Sequence, residues 1–162
     1  FLCYSRDKER HIHDVGFLVN KKCKPFVAGC QPVSSRLTKI RLRATPFNIT
    51  VIQVWAPTTD YSDGDIEEFY EKLQRVVGEV NKTDILIIQG DWNAKIGKDA
   101  HQDWKDYIGL ATNETSNKRG LCLLEFAIFN DMAVTYSQGQ HKKSRINTWH
   151  APNGPHLKKT QG

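Results

Sequence analysis

The sequence predicts a layered α/β or α+β domain, and three observations lead to that prediction. The chain has 162 residues, which is the usual size of one domain. Its 39% hydrophobic and 25% charged residues are typical of a globular chain that buries a core without disulfides. Apolar residues recur at strand and then helix spacing in the order strand, helix, strand, helix, strand, which indicates layered sheets and helices.

Residues 15–55 are predicted to be mostly strands. Short strands are expected at 15–19 and 27–30, followed by a basic strand at 36–43. Pro46 marks a turn, and residues 49–55 alternate with heavy β-branching. The last two strands therefore read as a hairpin.

A helix and a buried strand are predicted next. Ser62 and Asp63 are plausible caps, and acidic residues fill the first turn. The apolar residues that recur at helical spacing are Ile66, Phe69, Tyr70, Leu73, Val76, Val77 and Val80. After Asp84, the apolar run Ile85–Ile88 is expected to be a buried strand.

The C-terminal part is predicted to contain a long loop, a helix and two strands. Residues 94–118 are rich in Gly, Asp, Asn and Lys, which favours a loop. Residues 120–130 read as a helix, and 132–136 and 146–150 as strands. Leu121, Leu124 and Ile128 would lie on one face of that helix.

Composition excludes several classes of protein. The longest apolar segment is interrupted by Glu125, so no run reaches the roughly 18 residues that span a bilayer. The cysteines at 3, 23, 30 and 122 form no CxxC or zinc pattern, which predicts reduced thiols and a reducing compartment. The chain starts with Phe1 and shows no signal-peptide pattern, so we expect a fragment or a processed form.

Charge is unevenly distributed. Residues 1–50 carry a net +7, residues 51–110 a net −6 and residues 111–162 a net +4. Basic ends around an acidic centre suit a surface that binds a polyanion and needs carboxylates at its heart. A solvated acidic helix face would account for the same pattern.

The first candidate site follows the predicted strand at 85–88. Asp91 and Asn93 come directly after it, and ligands collect at the carboxyl ends of strands in such sheets. On extended backbone, residues i and i+2 project to the same side, so both side chains would address one phosphate or one Mg²⁺ ion. Gly-Asp-x-Asn is also ordinary turn composition, and the sequence leaves both interpretations open.

Seven segments, taken in order, resemble the endonuclease/exonuclease/phosphatase superfamily. The resemblance is closest to the apurinic-type endonuclease domain of non-LTR retrotransposons and to the host craniofacial development protein 2-like sequences related to such elements. It extends from about residue 14 to 154. The matching segments are Asp14–Val19, Pro32–Leu37, Ile49–Pro57, Ile66–Tyr70, Gln89–Lys95, Arg119–Phe126 and Thr148–Gly154.

The resemblance implies a Mg²⁺- or Mn²⁺-dependent enzyme that hydrolyses phosphodiester bonds, usually in DNA. Asp91 would orient or deprotonate the attacking water or ligate metal, and Asn93 would hold the phosphate or a second metal position. Trp55 stands where the family usually has a Tyr whose hydroxyl reaches the phosphate. An indole offers only an N–H donor, placed elsewhere, so this role would change.

The resemblance also implies a substrate-facing group. Asn117 and Arg119 match a loop that approaches substrate, and Thr148 and Trp149 match a segment near a flipped or stacked nucleotide. Trp149 is equally compatible with a place in the core.

The family fold is a four-layer sandwich of two β-sheets flanked by helices. This chain would be one partial domain over residues 1–162 that lacks N- and C-terminal strands, the family's first metal-binding Glu and its terminal Ser-Asp-His. A retrotransposon-derived endonuclease with impaired activity is therefore expected, intracellular and, by resemblance, nuclear. The alternatives are a non-catalytic remnant that binds nucleic acid or a protein partner, and a phosphatase of small substrates.

Overall fold

The computed structural model describes residues 1–5, 15–109 and 115–135. The chain folds as two compact units, residues 1–93 and residues 94–162. In the described residues there are two sheets, three α-helices and a short 3₁₀ helix at Lys24–Phe26, which confirms the predicted α+β class with two sheets. None of the helices in these ranges is long and apolar enough to cross a membrane. Whether the chain is a single domain stays a prediction.

The first unit contains both sheets. Strands β1 and β2 form an antiparallel pair, and the other four form a sheet in the order β3-β4-β5-β6. Only β5 and β6 run parallel, and helix α1 connects them. The bounds are β1 Leu2–Tyr4, β2 Gly16–Leu18, β3 Val27–Ser34, β4 Leu37–Leu42, β5 Ile49–Trp55, α1 Asp63–Gly78 and β6 Ile85–Asp91. The predicted hairpin is confirmed as β4 and β5.

Helix α1 begins where the sequence predicts. Ser62 is the N-cap, and its hydroxyl and the Asp65 carboxylate satisfy each other's backbone N–H groups in a capping box. The buried side chains of the stripe are Ile66, Phe69, Leu73 and Val76. A parallel crossover places its helix on one face of the sheet. In β5 the buried residues alternate and are Thr50, Ile52 and Val54.

The other face of β6 is more open than the sequence predicts. Ile85 and Ile87 are 49% and 43% exposed, so the prediction of a fully buried strand is wrong for this face. The physical reason is that β6 is the last strand of the described sheet; Leu86 and Ile88, on its other face, are half-buried.

A partly buried ion pair ties β4 to the residue that precedes β6. Arg41 donates two hydrogen bonds to Asp84, from Nε at 2.7 Å and from Nη2 at 2.8 Å. The Thr50 hydroxyl donates a third at 2.8 Å, and the Asp84 side chain is fully buried. These donors, Arg41 first, outweigh desolvation and lower the pKa of Asp84.

The prediction that all four cysteines are reduced is wrong for two of them. Cys3 of β1 and Cys30 of β3 form a disulfide, with their Cα atoms 6.5 Å apart. The two cysteines are 27 residues apart in sequence, but their strands pack against each other. Spacing motifs carry no signal of such a long-range approach. Cys23 and Cys122 are free thiols.

The second unit contains α2, Lys98–Trp104, and α3, Lys118–Phe129. A continuous loop over 94–118 was therefore the wrong prediction, because a seven-residue helix too short for an apolar stripe lies inside it. In α3 the buried apolar side chains are Leu123, Leu124, Phe126 and Ala127, and Leu121 is 47% exposed. Instead of a strand after 132, the described residues show one parallel bridge between Val134 and Ile108. The predicted strand at 146–150 lies outside the described residues.

Replacing Leu73 tests the packing of α1. The side chain is fully buried, so Leu73→Ala should lower the free energy of unfolding by about 2–5 kcal/mol. The measurement is urea unfolding followed by circular dichroism. Glu67→Ala on the exposed face of the same helix should change stability by less than about 0.5 kcal/mol. Equal effects of the two substitutions would show that α1 is not packed.

The Asp84 ion pair predicts a defined dependence of stability on pH. Because the folded-state pKa of Asp84 is lowered, its contribution is present above the unfolded pKa of about 3.9 and is lost as pH falls through the folded value. The difference in free energy of unfolding between the wild type and Asp84→Asn should therefore be constant above about pH 5 and shrink below about pH 4. Urea titrations at stepped pH measure it, with Glu67→Gln as control. A difference that stays constant down to pH 2 would contradict this account.

Candidate functional site

One edge of the four-stranded sheet collects the candidate residues of the first unit. Strand β4 is antiparallel to β5, and β5 is parallel to β6, so the start of β4 meets the carboxyl ends of β5 and β6. Leu37 pairs with Val54, which pairs with Gly90, and Trp55 pairs with Asp91. Since register partners project to the same face of a sheet, Trp55 and Asp91 are neighbours at this edge.

Gly90 sets the path of the chain into the site. Its φ is +140°, a conformation that side-chain-bearing residues rarely adopt, and a Cβ there would collide with the Val54 carbonyl. The close approach lets the Asp91 carbonyl accept a hydrogen bond from the Ala56 N–H at 2.8 Å. The strand therefore ends with Asp91 exposed at the sheet edge.

Asp91 and Asn93 are brought together by a turn. The Asn93 N–H donates to Asp91 Oδ1 at 3.0 Å, and Asn93 has a φ of +47°. Asn tolerates this left-handed conformation better than most residues do. The extended i, i+2 geometry expected from the sequence is therefore wrong, because the chain turns once β6 ends.

The Asn93 side chain is fixed by the neighbouring strand end. Its Nδ2 donates to the Ala56 carbonyl at 2.8 Å, which leaves the amide oxygen Oδ1 to interact with a ligand. The pair thus offers carboxylate and amide oxygens at one point. Mg²⁺ prefers such hard ligands, uses few protein carboxylates and keeps several waters, so the two residues fit part of its shell. Over the described ranges, no group of three or more His, Cys, Asp or Glu is placed to hold a metal ion.

Trp55 is part of a stack that the sequence analysis missed. The Arg36 guanidinium carbon lies 4.3 Å from a Trp55 ring centroid and 4.6 Å from that of Tyr61. Arg36 lies between β3 and β4, and its backbone carbonyl accepts a hydrogen bond from the Trp55 N–H at 3.0 Å. The sequence did contain a signal for this contact. Arg36 begins the first strand of the predicted hairpin, and Trp55 ends the second, so the two residues were expected at the same end of the hairpin.

The positive charge of Arg36 also acts on the first turn of α1. The pKa of Asp65 is lowered, first by the Ser62 hydroxyl, then by the Ser62 backbone N–H, and also by the positive charge of Arg36. Arg36 is therefore close enough to interact electrostatically with the first turn of the helix. Asp65 itself is committed to the capping box.

Asn117 has a clear structural task in the second unit. Its Oδ1 accepts hydrogen bonds from the Gly120 N–H at 2.7 Å, as N-cap of α3, and from the Lys95 N–H at 3.0 Å. A Cβ on Gly120 would collide with the Lys95 carbonyl, so the loop and the helix start fit closely. The Asn117 side-chain oxygen is thus already engaged in two hydrogen bonds, and its amide nitrogen Nδ2 is the group left to contact a substrate.

Arg119 also belongs to the second unit and is only 8% exposed. A substrate-facing role for Asn117 and Arg119 stays a prediction from the resemblance. Thr148 and Trp149 lie outside the described residues, and so does their predicted role beside a nucleotide.

Comparison with known proteins confirms the predicted resemblance to craniofacial development protein 2-like sequences. The chain is 33% identical over 154 residues to craniofacial development protein 2 of Bos taurus and 32% identical to that of Tragulus javanicus. Each match covers 95% of this chain and 26% of the relative, so the chain spans about a quarter of their length. No family model matches.

Among solved structures, the endonuclease domain of TRAS1, a telomere-specific non-LTR retrotransposon, is similar to this chain. The TM-score is 0.41 and the identity 23%, over 59% of this chain and 36% of that chain.

The capping role of Asn117 predicts a local effect on stability. Asn117→Ala should lower the stability of the helix start by about 0.5–2 kcal/mol, since two backbone N–H groups lose their acceptor. Amide hydrogen exchange measured by NMR should show faster exchange at Lys95 and Gly120. Asn117→Asp, which keeps an acceptor oxygen, should preserve the protection. Unchanged protection in Asn117→Ala would exclude this capping role.

Proposed function

Because this chain is homologous to craniofacial development protein 2 over 95% of its length, we propose that it derives from a retrotransposon-type endonuclease and hydrolyses phosphodiester bonds in DNA. The observation that carries the proposal is the pairing of Asp91 with Asn93 at the carboxyl edge of β5 and β6. Two hard oxygen ligands at a strand end form the kind of centre that phosphoryl transfer needs.

Each residue of this edge has a role that follows from its contacts. One oxygen of Asp91 holds the turn by accepting from the Asn93 N–H, and the other is placed to accept a hydrogen bond from the attacking water or to ligate a metal. The amide nitrogen of Asn93 is engaged with Ala56, so its oxygen is suited to a metal or a water more than to a phosphate oxygen.

A resident Mg²⁺ or Mn²⁺ ion, held by Asp91 and Asn93 oxygens and waters, would supply Lewis-acid stabilisation of the charge on the phosphate. The chain's own residues orient water and substrate around that position. Trp55 contributes an aromatic face beside this position. Its indole has no hydroxyl, so it does not take the role of the Tyr that the family usually has here. The proposed partner is DNA or another nucleic acid, and the proposed location is the nucleus.

A second candidate function is non-catalytic binding of nucleic acid or of a protein partner. Trp55 favours it, since an indole engaged with Arg36 does not replace a phosphate-directed hydroxyl. Such a remnant would keep the basic and aromatic surface and lose turnover. Plasmid nicking separates the two candidates directly.

The test is nicking of supercoiled plasmid by this chain with Mg²⁺ and with EDTA. Asp91→Ala should abolish Mg²⁺-dependent nicking, because it removes the proposed metal- or water-binding carboxylate. The loss of stability should be small, because that carboxylate is exposed. Asp103→Ala, which removes an exposed carboxylate from α2, serves as the matched control and should nick like the wild type.

Nicking that persists in folded Asp91→Ala would refute the assignment of the site. No nicking by the folded wild type would select the non-catalytic candidate.

A further inference from the structure

The Arg36 side chain has an arrangement that its place in the fold does not require. Its guanidinium carbon lies over two aromatic rings, 4.3 Å from a Trp55 ring centroid and 4.6 Å from that of Tyr61. The three side chains come from the β3–β4 turn, the end of β5 and the loop before α1. All three are half-buried.

Contact with two aromatic rings restrains the guanidinium without using its hydrogen-bond donors. The rings attract the cation through their faces, whereas the five N–H donors of Arg point outward in the plane. An unstacked Arg would lose much rotamer freedom on binding a ligand, and a stacked one has already lost it. The two rings therefore prepare the Arg36 edge for a planar, bidentate acceptor.

The donors of Arg36 are mostly unused within the described part of the chain. There its guanidinium makes one hydrogen bond, from Nη1 to the Trp55 carbonyl at 3.5 Å, which is at the long limit. Asp65 is near enough to interact electrostatically, but its Oδ2 accepts hydrogen bonds from the backbone N–H and the hydroxyl of Ser62. By contrast, Arg41 of β4 donates two short hydrogen bonds to one carboxylate, that of Asp84.

We propose that Arg36 binds a phosphate of a nucleic-acid strand, and that Tyr61, with Trp55, is the positioning residue that holds its guanidinium for this contact. The subsite lies beside the proposed centre, because Trp55 is the register partner of Asp91. The inference rests on the proposed function for its ligand class, a phosphodiester strand. Tyr61 acts through Arg36 and touches no reacting atom.

The experiment measures binding of a fluorescein-labelled oligothymidylate by anisotropy, in EDTA so that cleavage does not interfere, over a range of KCl concentrations. Each phosphate contact to a single strand contributes about 0.7 to the slope of log K against log salt. Arg36→Gln should weaken binding several-fold and reduce that slope by about 0.7, the value for one lost contact. Tyr61→Leu should do the same in part, although it removes no charge.

Conservative variants and a matched control separate positioning from a structural role. Tyr61→Phe keeps the ring and should restore wild-type binding and slope, and Arg36→Lys should recover part of the slope without the affinity of the fixed plane. Lys82→Gln removes one exposed cation near the start of β6, at the opposite end from Asp91, and should leave the slope closer to the wild-type value. Thermal unfolding verifies that every variant is folded.

The outcomes distinguish this inference from the proposed function. Equal salt slopes for wild type and Arg36→Gln, or no binding by the wild type, would overturn the phosphate subsite. A normal slope in Tyr61→Leu would overturn the positioning role of Tyr61. Binding that depends on Arg36 in a chain that does not nick plasmid would keep the subsite and refute only the hydrolytic proposal.

Discussion

The parallel pairing of β5 with β6 is the constraint on which the first unit depends. It requires a crossover, which α1 supplies, and it brings the carboxyl ends of both strands to one edge. The register places Trp55 beside Asp91, and a shift by one residue would send one of them to the opposite face. Gly90 allows the close approach to Val54 that this register needs at its last step. The place of the candidate site is therefore determined by the pairing of β5 with β6, and the polar residues at that place supply its chemistry.

Sequence predicted the elements whose signals are local. The bounds of β5 and the start of α1 follow from β-branching, from the Ser62 cap and from the helical stripe, all within a few residues of the element they define. The Cys3–Cys30 disulfide and the stacking of Arg36 depend on contacts between distant segments, which no local pattern contains. Helix α2 was missed because seven residues give too few turns for a periodicity.

The sequence predicted which residues come together at the candidate site better than it predicted their geometry. Asp91 and Asn93 were chosen because polar residues follow an apolar strand, and the structure joins them through a hydrogen-bonded turn at that place. The turn was the competing explanation, and the two are compatible, since the turn itself gathers the oxygens. Asn117 illustrates the opposite case. The resemblance predicts that Asn117 approaches substrate. In the structure its side-chain oxygen accepts two hydrogen bonds, which hold Lys95 and the start of α3.

The central claim is that the Asp91–Asn93 turn is a divalent-cation centre. The most direct measurement is paramagnetic broadening of backbone amide NMR signals by substoichiometric Mn²⁺, competed with Mg²⁺. The account predicts broadening centred on residues 90–93 and the end of β5, reversed by Mg²⁺ and absent in Asp91→Asn. Broadening centred on the acidic residues of α1, with the sheet edge unaffected, would contradict it.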